Sequence, residues 1–63
     1  MKSLIKKLHA ERDEIINRID KLGEFIETDK YLNLPIIQQS LLNVQLNAMR
    51  TYQECLWQRL MYM

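Results

Sequence analysis

Sixty-three residues with a formal net charge of +1 make one small domain and exclude a general nucleic-acid binder held by phosphate neutralisation. One cysteine, Cys55, rules out an intrachain disulfide, and one histidine, His9, with no Cys/His cluster at zinc spacing argues against a structural metal. A core this small is marginal alone, so association with another subunit is the remaining route to stability.

No apolar run approaches the roughly 20 residues of a membrane span. The opening "MKSLIKKLHAERDE" turns polar too soon for a secretory signal. A single thiol suits a reducing compartment, so the expected location is the cytosol.

In the first segment Ile5, Leu8, Ile15, Ile19, Leu22 and Ile26 recur at spacings of three, four and seven, with Arg12 interrupting the stripe. That period predicts an amphipathic helix over about 3–28. Ser3 is its candidate N-cap. Gly23 weakens it by about 1 kcal/mol relative to alanine. Arg12 has two readings: a register-setting polar residue whose head reaches solvent, or a cation lining a pocket between subunits. Lys7, Glu11, Glu14, Arg18 and Lys21 form one polar stripe. Its bland reading is a solvated face with pairs at four-residue spacing. Its functional reading gives Lys21, only weakly compensated by the shared acids, an anion to hold.

The stretch "TDKYLNLP" breaks the helix, because Thr28, Asp29 and Asn33 compete locally for backbone hydrogen bonds and Pro35 disfavours helical geometry at Leu34. The turn is placed at about 29–34. Tyr31 within it is expected to be freer than the other aromatics, able to stack on a base or to close the turn.

Proline suits the first helical position, so a second helix is predicted over about 35–62. Its main stripe is Leu42, Leu46, Met49, Leu56, Leu60 and Met63, with Gln39 and Gln53 at equivalent polar positions. A second stripe is Leu41, Ala48, Tyr52, Cys55 and Tyr62. Beyond Asn33 only Arg50, Glu54 and Arg59 are charged. One neighbouring helix covers one stripe, so the other needs a further chain. The expected fold is all-α: an antiparallel two-helix hairpin that assembles into a homo-oligomeric bundle. Leu41, Ala48, Tyr52, Cys55, Trp57 and Tyr62 are the expected oligomer interface, Trp57 because it lies off both stripes, where an exposed or interfacial position is expected and such a residue is a common anchor.

No nucleophile and base stand at catalytic spacing, Cys55 reads as a small hydrophobe buried at an interface, and no glycine-rich loop cradles phosphate. The expectation is a protein that is not an enzyme and carries no cofactor.

The segment "RIDKLGEFIE", then "LP", then "LLNVQLNAMRTYQECLWQRL" resembles a family of short phage-encoded helical hairpins. The pattern runs Arg-(Ile/Val)-x-Lys-Leu-x-x-Phe-(Ile/Leu), Leu-Pro, Leu-Leu-x-x-Gln-Leu-x-Ala-Met-x-x-Tyr and Leu-x-x-Arg-(Ile/Leu). It is carried here by Arg18, Ile19, Lys21, Leu22, Phe25, Ile26, Leu34, Pro35, Leu41, Leu42, Gln45, Leu46, Ala48, Met49, Tyr52, Leu56, Arg59 and Leu60. Some relatives in this family are similar to anti-CBASS proteins, sponges for immune second messengers. The resemblance implies a compact oligomer, often hexameric, that sequesters cyclic oligonucleotides between subunits without cleaving them. A cyclic di- or trinucleotide needs cations for its phosphates, a flat face for its bases and amides for base edges. Lys21, Arg18, Gln45 and Tyr52, all on the motif, are the candidate ligand residues. Arg12 and Tyr31 join them by position and chemistry, as does Asn47 as an alternative amide. The competing expectation is a helical protein–protein interaction module with no small-molecule ligand, and a virion component is a third.

Overall fold

A computed structural model describes residues 2–63. It contains three helices, α1 (Lys2–Ile26), α2 (Asp29–Leu32) and α3 (Ile36–Met61), and no strand among the described residues. The fold is an all-helical rod of 46 × 14 × 12 Å.

The apolar stripe of α1 explains how the long helices meet. Leu8 and Ile15 are buried against Leu56, with Leu4, Ile19, Met49 and Leu60 packed around them. Leu8 lies in the early turns of α1 and Leu56 in the late turns of α3. At the other end Ile19 and Ile26 share a recess with Asn43, Leu46 and Arg50 from the first half of α3. Leu42, Leu46, Met49, Gln53, Leu56 and Leu60 are buried or half-buried, as one seam of α3. Met63, grouped with that seam by spacing, lies beyond the helix and is 47% exposed.

The largest difference from the sequence reading is at 29–34. α1 stops at Ile26, and Thr28 turns extended at φ −99°, ψ 159°. Its hydroxyl donates to the Phe25 carbonyl at 2.6 Å and accepts the Tyr31 amide at 3.3 Å. Thr28 thereby closes one helix and caps the next, α2, a single turn inside the expected loop. Pro35 is not the first residue of α3 but its N-cap, with its carbonyl accepting from the Gln38 and Gln39 amides at 2.9 and 3.1 Å.

Of the two uses expected for Tyr31, it closes the turn, and its expected freedom is corrected. The ring is buried, 7% exposed, and meets Phe25 edge-on at 6.2 Å between centroids, a favourable aromatic geometry. Its hydroxyl accepts from Asn43 Nδ2 at 2.6 Å and donates to the Gln39 carbonyl at 3.3 Å. Gln39 Nε2 donates to the carbonyls of Leu32 and Leu34 at 3.1 and 2.9 Å, satisfying the end of α2. Tyr31 is the keystone of the corner and has no free face to offer a base.

Candidate functional site

The two flanks of the α1–α3 seam carry different chemistry. On one, Arg12 lays its guanidinium over Trp57, 4.6 Å from the ring centroid, within cation–π range. Arg12 Nε is buried with no hydrogen-bond partner among the described residues. Arg12 is therefore half-buried and stacked on indole, closer to its register-setting reading than to a free cation. Farther along the same flank a recess of about 420 Å³ opens over Gly23, with Asp20, Glu24 and Glu27 facing Arg50. Its excess of carboxylates disfavours a phosphate there.

The opposite flank gathers four of the predicted ligand residues. Arg18 and Tyr52 line one recess of about 220 Å³ together with Glu11, Glu14 and Ile15. Arg18 Nη2 pairs with Glu14 Oε1 at 2.6 Å, both side chains about two-thirds exposed (63% and 64%). The Tyr52 hydroxyl donates to Glu11 Oε1, a bond between α3 and α1. Lys21 is exposed and follows Arg18 by three residues, about 60° around α1. Gln45 is also exposed and precedes Tyr52 by two turns, within about 20° of it around α3. Arg12 lies across the seam from this group, and Tyr31 is sealed in the corner. Glu11 and Glu14 had entered the sequence reading only as partners in a solvated stripe. Their i, i+3 spacing and their offsets of seven and four from Arg18 were the available signal.

α3 leaves a second face in water. Leu41, Ala48, Tyr52, Cys55 and Tyr62 are all exposed, within an arc of about 80° on a 100°-per-residue helix. Ile37 and Val44, 65% and 63% exposed, fall in the same arc. The sequence reading missed both, although their offsets of four and three from Leu41 continue the period. Trp57, 39% exposed, is not brought to this face, because its position around α3 puts it on the other flank, where it meets Arg12. Among the described residues no cluster of His, Cys, Asp and Glu is placed to hold a metal, and no helix is long and apolar enough to cross a membrane.

No solved structure matches the chain. Its sequence is similar to an uncharacterized 7.5 kDa protein of the denB–rIIB intergenic region of Enterobacteria phage T4. The two are 33% identical over 54 residues, spanning 86% of this chain and 84% of the relative. The family model Sequestin matches residues 2–62. With almost the whole described chain matched, the protein belongs to the Sequestin family, short phage helical proteins related to the anti-CBASS sponges.

Proposed function

We propose that this protein is a non-enzymatic sponge: an antiparallel helical hairpin that assembles with copies of itself in the host cytosol and sequesters a cyclic oligonucleotide immune signal between subunits. The match to Sequestin over residues 2–62 carries the sequestering part of this reading. The water-exposed arc of α3 supports the assembly part, since Ile37, Leu41 and Val44, each more than half exposed, make a contiguous apolar face of the kind that marks interaction sites. A closed cyclic assembly, a hexamer among them, buries such a face without leaving an edge.

Lys21, Arg18, Gln45 and Tyr52 are the ligand residues in this reading. Lys21 has no salt-bridge or side-chain hydrogen-bond partner among the described residues, so its ammonium is available to a phosphate. Calorimetry with a panel of cyclic di- and trinucleotides, beside sedimentation, tests the proposal. Lys21→Ala abolishes binding and leaves the sedimenting mass unchanged. Flat traces for the wild-type protein across the panel remove the sponge reading. The interaction-module alternative then gains ground if Tyr52→Arg or Cys55→Arg, and not Lys21→Ala, destroys biological activity.

A further inference from the structure

The recess between Glu11, Glu14, Arg18 and Tyr52 is a poor phosphate site. It holds two carboxylates and one guanidinium, and Arg18 is already paired with Glu14. A phosphodiester anion brought here meets a net negative charge. At about 220 Å³ it is also smaller than the roughly 300 Å³ at which pockets begin to hold a drug-sized ligand. The opening suits one part of a larger molecule, and its polar groups say which part.

Resting on the sponge reading, we propose that this recess is a base-reading subsite selective for guanine, with Glu11 as its specificity-determining residue. Guanine presents, along one edge, an acceptor (O6) beside two donors (N1–H and N2–H). Glu11 supplies the acceptor pair. Its Oε1 is fixed across the helices by the Tyr52 hydroxyl, and a carboxylate oxygen has lone pairs for more than one donor. Arg18 supplies the complementary donor for O6. Its bond to Glu14 is exposed on both sides, and exposed pairs of this kind contribute little, so the guanidinium is free to turn. Adenine offers that carboxylate one donor where guanine offers two, and a two-point bond to a carboxylate is charge-assisted and directional. Lys21, farther along the same flank, takes the phosphate. Charge and base are thus read by separate groups.

The test is calorimetry on the intact protein with cyclic di-GMP, cyclic di-AMP and cyclic di-IMP, whose hypoxanthine lacks the N2 amine. Wild type binds cyclic di-GMP at least about ten-fold tighter than the other two, the discrimination expected of one charge-assisted hydrogen bond. Glu11→Gln loses that preference while binding cyclic di-AMP within about two-fold of wild type. Tyr52→Phe, which keeps the ring and frees Glu11, loses part of it. Glu54→Gln, an exposed carboxylate of α3 outside the recess, keeps it, and circular dichroism confirms that each variant is folded. Equal wild-type affinity for the guanine and adenine ligands overturns the guanine assignment and leaves the sponge reading standing. An equal loss for both ligands in Glu11→Gln does the same. No binding of any of the three by wild type, with the remaining cyclic nucleotides equally silent, removes both.

Discussion

Replacing Gly23 by alanine separates what the single chain requires from what its surroundings require. Gly23 lies within α1, three residues before its end, and no residue among those described, glycine or otherwise, has a positive φ. A Cβ built there meets nothing within 4 Å. The backbone therefore does not need glycine, and a methyl group displaces no neighbour. Alanine in a helix interior is favoured over glycine by about 0.5–1 kcal/mol, mostly through the lost freedom of the unfolded chain. In a domain of this size that is a rise in Tm of about 2–8 °C. Thermal melts followed by circular dichroism across a range of protein concentrations measure it. A fall in Tm refutes the reasoning, because it requires something in the space above Gly23 that the folded chain by itself does not put there. The recess of about 420 Å³ over this residue is where a second copy's side chain would then lie, and a loss of oligomer mass would accompany the fall.

Two further substitutions test the packing. Leu56→Ala empties the centre of the core, where Leu56 is 1% exposed against Leu8 and Ile15. The expected loss is about 2–5 kcal/mol, enough to unfold so small a domain, and far-UV circular dichroism at 25 °C detects it. Tyr31→Phe keeps the edge contact with Phe25 and removes the hydroxyl between Asn43 and Gln39. Asn43 Nδ2 keeps the Gln39 carbonyl at 3.0 Å, so no donor is stranded and urea denaturation shows a loss of only about 1 kcal/mol.

Both long helices were legible because their apolar periods are long and unbroken by proline. Hydrophobic burial on one face fixes a helix more firmly than any single propensity does. The corner was not legible at the same level. Of Thr28, Asp29 and Asn33, all read as competitors for the backbone, Thr28 is the one whose side chain bonds to it, and competition alone does not say what the backbone then does. The missing clue was the spacing from Thr28 to Tyr31, which matches a capping hydroxyl and the third amide of a new helix. The partners that bury Tyr31 come from α3, at Gln39 and Asn43. Nothing local to the turn announces them, so a residue that looked free is held by tertiary contacts. Trp57 is exposed, at 39%, as its off-stripe position indicated; what the sequence did not announce is the arginine that covers part of it from 45 residues earlier in the chain.

The site was legible as chemistry and not as arrangement. Residue types pointed to charge, stacking and amide groups, and helical geometry then sorted them onto flanks. Arg18, Lys21, Gln45 and Tyr52 fall on one flank, and Arg12 falls on the other. Tyr52 is the residue on which the two halves of the proposal meet. Its ring belongs to the exposed arc of α3, being 46% exposed, while its hydroxyl reaches back to Glu11 in the recess. In the proposed assembly, a copy docked on the arc would cover the ring and wall the recess in one step. Exclusion of water would then strengthen each charge-assisted contact inside the recess. A ligand bound more tightly by that assembled state than by the single chain would stabilise the assembly in return by mass action. One phenol at the border of both surfaces would make assembly and capture a single equilibrium, which is how a chain with so slight a core of its own would hold a ligand tightly.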